Sequence, residues 1–467
     1  MKRYGLILAA GKGTRMQTDL PKCAYPILRK PMIEYIIENM EQSVIDEIVV
    51  VGHKKEVLED ILKDRVKYAH QKEQLGTANA VQSAKDLLHN KEGSTFIIPG
   101  DVPLIPFEVM NKIFAAHEEM GNDLTVVSMV VDHPKGYGRI QRDEYGSITG
   151  IIEENDCNEY QKQIKEVNTG IYIVDNKKLF EAIEKVELNE RKNEYYLTDI
   201  VHIMHKDYKV NSFPMRYPHL TMGINDLYSI SIAERYLRED INKNHMLSGV
   251  SIVTPDTVTI GHSVIIERGV QILPNTTITG NTIIKSGAII GPNTEIHESK
   301  IHENAEIRHS YVYHSEIGQN TTVGPFAHVR DNSVVGSNNR IGNFVEIKKS
   351  TIGDYTKAAH LSYMGDSEVG NNVNFGCGSV TVNYDGKEKH KTIIGDDVFI
   401  GCNVNLIAPL TVGSNVFLAA GSTVTENVPS GALAIARNRQ INKEDYAKNL
   451  VKPRTKIERE ADSINNK

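Results

Sequence analysis

The amino-acid sequence predicts two parts of different fold class, an α/β domain with a mostly parallel sheet and, after it, a parallel β-helix. In residues 1 to about 225, apolar strand-like segments alternate with amphipathic helix-like segments, which is typical of a sheet with helices on both faces. From Ile260 onward an aliphatic residue recurs every six positions. Neither a helix nor a plain strand has that period, which is typical of hexapeptide β-helix repeats.

The elements of the first part follow from its apolar pattern. We expect strands at 5–10, 48–52, 95–100, 124–131 and 170–174, and helices at 32–42, 54–62, 78–88, 107–117 and 177–186. In sheets of this kind ligands bind outside the carboxyl ends of the strands. The loops at Gly11 and Asp101 are therefore the expected binding loops.

The repeat of the second part predicts a triangular prism. Its aliphatic positions fall in three runs, which are Ile260, Ile266, Ile272, Ile278, Ile284, Ile290 and Ile296, then Ile317, Val323, Val329, Val335, Ile341 and Ile347, then Ile394, Ile400, Leu406, Val412, Leu418 and Val424. Three hexads form one coil, so residues separated by three hexads are expected to lie above one another. Residues 381–392, rich in Lys, Asn and Gly, interrupt the repeat and are expected to form a loop on the binding face.

The length of 467 residues would suggest about three domains, but one long solenoid reduces the expectation to two lobes. We expect a first domain over 1–228, a linker helix over 229–249, a β-helix over 250–437 and a C-terminal tail over 438–467. The linker helix is equally well interpreted as the last helix of the first domain. The last dozen residues of the tail are polar and charged, which indicates disorder.

Composition excludes several classes of function. The chain is 40% apolar and 24% charged, as in ordinary globular proteins, and its net charge of −7 argues against non-specific nucleic-acid binding. Its four cysteines have no C-x-x-C spacing, so free thiols in a reducing cytosol are expected. No apolar stretch of the sequence approaches the roughly 20 residues of a membrane span, and the apolar start fits a buried first strand better than a signal peptide.

The first chemical signal is the glycine-rich loop L-A-A-G-K-G-T-R-M, which runs from Leu8 to Met16. It matches neither a Walker A motif nor a Rossmann fingerprint. A strand, a glycine-rich turn and the cations Lys12, Arg15 and Lys22 are typical of a site for phosphates, because backbone N–H groups and basic side chains neutralise them. The alternative is an ordinary glycine turn with solvated cations.

Further motifs follow this loop in a fixed order: Pro21-Lys22, Gln71-x-x-Gln74-Leu75-Gly76-Thr77, Gly100-Asp101-Val102-Pro103-Leu104, Gly136-Tyr137-Gly138-Arg139 and Asn168-Thr169-Gly170. The set resembles the signature of sugar-nucleotide pyrophosphorylases. With the hexapeptide repeats, residues 4 to about 440 resemble the bacterial family of bifunctional N-acetylglucosamine-1-phosphate uridyltransferases and glucosamine-1-phosphate N-acetyltransferases. The resemblance implies a Rossmann-like nucleotidyltransferase domain and a left-handed β-helix.

In the first domain, the resemblance implies a nucleotide site formed by Leu8, Ala9, Gly11, Lys22, Gln71, Gln74, Gly76 and Thr77. Arg15 and Lys22 would act catalytically on the triphosphate, and Asp101 and Asn225 would ligate Mg²⁺, a hard cation that prefers oxygen ligands. The amino sugar phosphate would contact Gly138, Glu153, Asn168, Thr169 and Asn225.

Some of these residues have a plainer interpretation. Asp101 could be a strand-end turn residue, Glu153 could belong to a solvated acidic pair with Glu154, and Asn225 rests almost wholly on the resemblance. The sequence also departs from the family pattern, with Pro99, Asn79 and Cys23-Ala24-Tyr25 in place of more usual residues.

In the second domain, the six-residue period itself places Arg330 and Lys348 on adjacent coils, since they lie three hexads apart. Two cations stacked this closely repel each other unless an anion lies between them, so we interpret the pair as a phosphate site. The alternative interpretation is a solvated basic face. The resemblance adds His360 as the catalytic base, with Glu346 as a candidate to orient it. Tyr363 and Asn374 would join the sugar-phosphate site.

The resemblance implies an acetyl-CoA site of Cys377, Asn383, Tyr384, Cys402, Ala420 and Arg437, with Lys443 reaching the coenzyme phosphates. A backbone N–H near Cys377 would stabilise the oxyanion. Cys402 stands where the family usually has Ser, and a thiol is a weaker hydrogen-bond partner than a hydroxyl. A nucleophilic role is disfavoured because direct transfer to an amine needs none.

The leading hypothesis is a cytoplasmic bifunctional enzyme that acetylates glucosamine 1-phosphate and then transfers UMP from UTP to the product. It needs Mg²⁺, takes acetyl-CoA and UTP as co-substrates, forms a homotrimer, and binds neither nucleic acid nor membrane. The product would supply peptidoglycan or lipopolysaccharide synthesis. One rival is a monofunctional pyrophosphorylase whose β-helix only trimerises or regulates; another is a non-catalytic sensor or scaffold.

Overall fold

The computed structural model describes residues 2–450 except residues 12, 14, 15, 17, 45 and 53. They form two units: one comprises the described residues up to 283 together with 295–298, and the other comprises 284–294 and the described residues from 299 onward. Among the described residues, no helix has the length and apolar character that a membrane crossing requires.

The first unit is built on a mixed sheet. Its strands are β1 Arg3–Leu8, β2 Pro26–Ile27, β3 Lys30–Pro31, β4 Asp46–Val51, β5 Lys67–His70, β6 Ser94–Pro99, β7 Leu124–Val130, β8 Arg139–Arg142, β9 Ile148–Ile152, β10 Glu166–Asp175 and β11 Val210–Met215. The main sheet has the order β11-β7-β10-β6-β1-β4-β5, with β8 and β9 beside β10, and β2 and β3 form a separate hairpin. Strands β1, β4, β5 and β6 are parallel, whereas β10 runs antiparallel to both β6 and β7.

Helices cover both faces of this sheet, as the sequence predicts. They are α1 Met32–Glu41, α2 Lys55–Leu62, α3 Thr77–Gln82, α4 Lys85–Leu88, α5 Phe107–Met120, α6 Asn176–Ile183, α7 Asp199–Met204 and α8 Leu227–Leu247. Successive residues of β1 point to opposite faces of the sheet and so belong to different cores. Leu6 packs with α6 and α7, and Ile7 packs with α1 and α5. The helix predicted over 78–88 is two helices, because the bonds from Ser83 and Ala84 to carbonyls three residues back tighten the turn between them.

Short 3₁₀ helices complete the described part of the chain at Lys22–Ala24, Lys63–Arg65, Glu154–Asp156, Gln161–Gln163, Pro218–Thr221, Pro255–Thr257 and Tyr446–Asn449. Helix α8 begins with a capping box, in which Asp226 Oδ1 accepts from Ser229 N and Ser229 Oγ accepts from Asp226 N. Near its end the buried Asn242 Nδ2 donates to the carbonyl oxygens of Pro255 and Val258, both at 2.9 Å. These bonds join α8 to the coils that follow it in the same unit.

The first coils lie in the first unit. Their strands are Ser251–Ile252, Thr259–Ile260, Ile265–Ile266, Gln271–Ile272, Thr277–Thr279 and Glu295–His297, and Ile283–Ile284 stands at the unit boundary. Thr259 pairs with Thr277, and Thr277 pairs with Glu295, in parallel register. Both steps equal one coil of three hexads, as the six-residue period predicts.

The second unit continues as three columns of parallel strands. The first column has Ile289–Ile290, Glu306–Ile307, Thr322–Val323, Arg340–Lys348, Lys357–Gly365, Asn374–Phe375, Phe399–Ile400, Phe417–Leu418 and Leu433–Ala434. The second has Tyr311–Tyr313, His328–Arg330, the later halves of the two long strands, Val380–Val382, Asn405–Ile407 and Thr423–Val424. The third has Lys300–Ile301, Glu316–Ile317, Val334–Val335, Thr351–Ile352, Ser367–Val369, Thr392–Ile394 and Leu410–Val412.

The coils bury the periodic aliphatic residues, among them Val323, Ile341 and Ile400. Coil length varies, because Thr322 pairs with Arg340 after three hexads, whereas Asn374 pairs with Phe399 across a longer step. The longer step contains the insertion at residues 381–392 that the sequence identified.

Candidate active sites

A cavity of about 800 Å³ opens at the carboxyl ends of β1 and β6 in the first unit. This is the edge where ligands of parallel sheets bind. Of the residues predicted to bind nucleotide, sugar or metal, the cavity is lined by Leu8, Gly11, Lys22, Gln71, Gln74, Gly76, Thr77, Asp101, Glu153 and Asn168. The structure therefore brings together residues that lie far apart in the chain.

Other predicted residues lie behind the wall. Ala9 is buried in the core on the side of α1, and the hydroxyl of the buried Thr169 donates to the Val127 carbonyl at 2.7 Å. The Gly138 carbonyl oxygen accepts a 2.8 Å hydrogen bond from the backbone N–H of Asn168, so Gly138 supports the wall. Arg15 and Lys12 lie outside the described residues.

Lys22 connects the two predicted metal ligands. Its ammonium donates to Asp101 Oδ2 and, at 2.8 Å, to Asn225 Oδ1. The two loops are also joined by a backbone bond of 2.9 Å from Ile224 N to the Asp101 carbonyl. A carboxylate oxygen and an amide oxygen thus converge on one cationic centre, which is the donor chemistry that suits a hard cation.

Among the described residues no group of three or more His, Cys, Asp or Glu side chains could hold a metal ion. Mg²⁺ commonly takes only one or two protein oxygens and completes its shell with water and substrate phosphates. Asp101 and Asn225 fit that requirement.

The loop that carries Gln71 and Gln74 is fixed by side-chain amides. Gln71 Nε2 donates to Asn79 Oδ1 at 2.8 Å, and Gln74 Nε2 donates to the Ala10 carbonyl at 2.6 Å. Asn79, one of the departures from the family pattern, therefore holds Gln71. Gly76 has φ +102°, and a Cβ there would lie 2.5 Å from the Tyr195 carbonyl oxygen, so only glycine fits.

Glu153 faces the cavity, whereas Glu154 pairs with the buried Arg139 at 2.7 Å. The solvated acidic pair considered from the sequence is therefore wrong. Burial raises the pKa of Glu153 above the ordinary carboxyl value, with Asp199 adding to the effect, although the Thr198 hydroxyl donates to Glu153 Oε1 at 3.0 Å and opposes it.

Sequence reasoning missed part of the cavity wall, including Tyr172, Glu194, Tyr196 and Thr198. Tyr172 accepts a 2.7 Å bond from Asn168 Nδ2 through its hydroxyl oxygen, so it orients a residue that was predicted. Tyr172 follows the N-T-G motif on the same strand, which could have indicated it. The loop around Glu194 carries no motif.

The second unit has a different kind of candidate site, along one corner of its coils. Asn343 pairs with His360, and the registers on either side of that corner place His360 against Cys377, Cys377 against Cys402, and Cys402 against Ala420. His360, Cys377 and Cys402 are exposed. Four residues predicted from the resemblance therefore form one stack.

His360 is oriented by a residue that the sequence did not indicate. Its Nδ1 lies 3.1 Å from Asn343 Oδ1, while Glu346 accepts from Arg330 Nη2 at 2.6 Å. The suggestion that Glu346 orients His360 is wrong, because Glu346 pairs in register with Tyr363 and not with His360. Leu361, next to His360, has φ +29°, a strained conformation for a bulky residue.

A cation cluster lies on the adjoining column. Arg330 and Lys348 pair in register, as the hexad period predicts, and Asp331 lies 2.8 Å from Arg330 Nη1 and 4.0 Å from Lys348 Nζ. Lys389, in the insertion, is close enough to Lys348 that the Lys348 ammonium lowers the pKa of Lys389. The sequence indicated a Lys-rich insertion on the binding face but did not single out Lys389.

Tyr363 and Asn383 reach the same place. A Cβ on Gly365 would lie 2.3 Å from Tyr363 Oη and 2.8 Å from Asn383 Nδ2, and Asn383 Nδ2 donates to Asp366 Oδ2 at 2.6 Å. This cluster therefore holds hydroxyl, amide and ammonium groups side by side.

The remaining predicted residues lie on the first column, in the insertion and toward the end of the described chain. Asn374 lies on the first column between Lys357 and Phe399, and Tyr384 is exposed in the insertion. Arg437 is exposed, and its Cδ would lie 3.7 Å from a Cβ on Gly421, at the corner beside Ala420. Lys443 lies over the Tyr446 ring.

Comparison with known proteins assigns a class to each part. The nucleotidyl transferase family model matches residues 4–217, the GMPPB C-terminal domain model matches 257–352, and the bacterial transferase hexapeptide model, with six repeats, matches 391–426. The two candidate sites and these matches define a transferase with two active parts.

Curated relatives extend over nearly the whole chain. "Bifunctional protein GlmU" of Acholeplasma laidlawii (strain PG-8A) is 61% identical over 98% of this chain and 100% of its own length. Proteins of the same name from Geobacillus sp. (strain WCH70) and Bacillus velezensis (strain DSM 23117 / BGSC 10A6 / LMG 26770 / FZB42) are 47% and 46% identical over 96% and 97% of this chain, and 98% and 99% of their own lengths. The chain belongs to the GlmU family. The resemblance and fold class predicted from the sequence are confirmed, and the protein is a bifunctional enzyme with uridyltransferase and acetyltransferase parts.

Proposed function

We propose that the protein makes UDP-N-acetylglucosamine in two steps, acetylation of glucosamine 1-phosphate with acetyl-CoA and transfer of UMP from UTP to the resulting N-acetylglucosamine 1-phosphate. Membership of the GlmU family supports both activities. The observation that carries the assignment is that each unit has its own set of converging polar groups, the Lys22 cluster at the strand ends and the cation cluster beside His360.

In acetyl transfer, Arg330, Lys348 and Tyr363 bind the sugar phosphate, and Lys389 adds a further positive charge. His360 takes the proton of the sugar ammonium, so that the neutral amine can attack the thioester carbonyl. CoA then leaves as the thiol. Stacking of His360 beneath Cys377 and Cys402 supports placing the thioester along that corner.

The coenzyme would lie against Cys377, Asn383, Tyr384, Cys402, Ala420 and Arg437. A backbone N–H near Cys377 would receive the developing oxyanion. Asn374 and Asn383 would orient the amine, although the amide of Asn383 already donates to Asp366.

In uridylyl transfer, an oxygen of the sugar phosphate attacks the α-phosphorus of UTP, and pyrophosphate leaves. Leu8, Gly11, Gln71, Gln74, Gly76 and Thr77 hold the nucleotide, and Glu153, Asn168 and Asn225 hold the sugar phosphate. Ala9, Gly138 and Thr169 support the wall behind them. Arg15 and Lys22 neutralise the departing pyrophosphate. The protein needs no nucleophile of its own and acts by positioning and charge.

Asp101 and Asn225 would hold Mg²⁺, which supplies positive charge to the phosphate oxygens when bound. Lys22 contacts both of these oxygens in the structure. Binding of the cation therefore requires the Lys22 ammonium to move from them toward the phosphates, where its charge is needed.

The remaining features belong to the same proposal. The uridyltransferase domain spans 1–228, the linker helix 229–249, the acetyltransferase β-helix 250–437 and the tail 438–467. Hexapeptide β-helices suggest oligomerisation, and we place the acetyltransferase sites within a homotrimer in the cytoplasm. The product supplies peptidoglycan or lipopolysaccharide synthesis.

One coupled assay tests the proposal. A single preparation is expected to release CoA from acetyl-CoA only with glucosamine 1-phosphate, and pyrophosphate from UTP only with N-acetylglucosamine 1-phosphate and Mg²⁺. Pyrophosphate release with no CoA release would favour the monofunctional alternative. Sedimentation of the active protein as a monomer would contradict the homotrimer.

A further inference from the structure

Two cysteines occupy equivalent positions on adjacent coils of the second unit. Phe375 pairs with Ile400 and Val380 pairs with Asn405, and the register is the same on both sides, so Cys377 lies opposite Cys402. A bond of 2.7 Å from Asn403 N to the Cys377 carbonyl oxygen continues the ladder at this point. Both side chains are exposed.

This placement is compatible with a disulfide. Neighbouring strands lie about 4.8 Å apart, and disulfides join Cα atoms that are about 4.4–6.8 Å apart. Glycines flank the pair at positions 376, 378 and 401, so these immediate neighbours along the chain contribute no side chains. The two thiols can therefore meet by rotation of their own side chains and a small shift of the coils.

The other two cysteines are in a different environment. Cys23 and Cys157 are buried, and burial raises the pKa of the Cys23 thiol to about 12 and that of Cys157 above its ordinary value. Oxidants are therefore expected to reach Cys377 and Cys402 first. His360 precedes this pair on the corner, one coil before Cys377.

We propose that Cys377 and Cys402 form a reversible oxidation site, at which a peroxide joins the two thiols as a disulfide and stops acetyl transfer. The consequence for activity rests on the proposed function, which places the acetyl-CoA thioester along this corner. Drawing the two coils together there would misplace the thioester relative to His360, and a misplacement of about 1 Å can cost about 100-fold in rate.

The chemistry balances with one peroxide. The thiolate of one cysteine attacks a peroxide oxygen, which gives a sulfenic acid and releases hydroxide, taken up as water. The second thiol attacks the sulfenic sulfur, the S–S bond forms and a second water leaves. The two thiols supply the two electrons that reduce the peroxide, and an added dithiol such as dithiothreitol reverses the step.

The test uses the full-length protein treated with hydrogen peroxide, quenched with iodoacetamide and digested for mass spectrometry. We expect a peptide pair joined through Cys377 and Cys402, lighter by two hydrogens than the free thiols. CoA release should fall about 100-fold, as expected for a misplacement of this size, and recover with dithiothreitol. Pyrophosphate release should not change. Saturating CoA should slow the cross-link, whereas UTP should not.

Matched variants separate this pair from general oxidation. Cys157→Ser, which alters a buried thiol, should form the linked peptide as the wild type does. Cys377→Ser and Cys402→Ser should not form it, and dimedone should trap the remaining thiol as a sulfenic acid. Each variant is compared with its own reduced form, so its basal activity does not enter the comparison.

The proposal would be overturned if peroxide oxidised Cys377 and Cys402 but both were recovered in separate peptides, with no linked pair. A complete cross-link with undiminished CoA release would overturn it equally. If the reduced protein released no CoA at all, the proposed function would fail, and the linked peptide would still decide whether the pair oxidises.

Discussion

The cavity of the first unit and the corner of the second unit bring functional residues together in opposite ways. The cavity collects loops at the carboxyl ends of strands, so that Lys22 meets Asn225 from 203 positions away. The corner collects residues one coil apart, so that His360 meets Cys377 on the next coil. A site built on loops depends on side-chain contacts across the fold, whereas a site built on coils depends on register.

Apart from loss of the catalytic base, the largest expected effect concerns the loop-built site. Asp101→Ala removes a carboxylate that shares the Lys22 ammonium with Asn225, so uridylyl transfer should fall by about 10²–10³-fold in kcat. Asp143→Ala, in the exposed turn between β8 and β9, is the matched control and should leave both activities intact. Undiminished pyrophosphate release from Asp101→Ala would remove Asp101 from the metal site.

The cation cluster tests the coil-built site. Lys348→Met should raise the KM for glucosamine 1-phosphate by about 10- to 100-fold, the value of a lost charge-assisted hydrogen bond. Arg340→Met changes an exposed cation on the other column and should leave that KM unchanged. An equal rise in the two variants would mean that the charge of the whole surface, and not the Arg330–Lys348 pair, attracts the substrate.

A pair of glycine variants compares the two kinds of backbone. A Cβ on Gly76 would lie 2.5 Å from the Tyr195 oxygen, and a Cβ on Gly401 would lie 2.5 Å from the Ala420 amide nitrogen. We expect each alanine variant to lose about 2 kcal/mol of stability, a size typical of strained substitutions. Gly76→Ala should impair only pyrophosphate release and Gly401→Ala only CoA release. Loss of both activities in either variant would show that the two sites are not independent.

The smallest expected effect is a pH dependence of stability. Because burial raises the pKa of Glu153 in the folded chain, the folded chain holds this proton more tightly than the unfolded chain does. Ionised Glu153 therefore costs stability as pH rises from the ordinary carboxyl pKa through the raised value. Glu153→Gln should be more stable than the wild type at neutral pH, and urea unfolding should show no difference between them at a pH below the ordinary carboxyl pKa. A difference in the free energy of unfolding between the two proteins that is the same at every pH would contradict this expected pH dependence.

The sequence predicted the coil-built site more closely than the loop-built one. The six-residue period alone placed Arg330 opposite Lys348, because hexads convert sequence distance directly into coil position. The same period would place Gly342 opposite His360. Asn343 takes that position instead, because the step between them is 17 residues and one residue short of three hexads.

In the first unit, motifs at strand ends indicated Asp101 and Gln71, but Glu194 and Thr198 come from segments without any motif. Their place in the wall follows from packing of distant loops, which no local pattern encodes. Likewise, apolar runs located the strands but did not predict that β10 runs antiparallel to its neighbours.

The most direct test of two separate active sites measures CoA release and pyrophosphate release on the same preparations of His360→Ala and Asp101→Ala. We expect His360→Ala to lose about 10²–10⁴-fold in CoA release, the usual contribution of a general base, with pyrophosphate release unchanged. Asp101→Ala should lose pyrophosphate release, with CoA release unchanged. If both activities fall together in either variant although the protein remains folded, the assignment of one reaction to each unit is wrong.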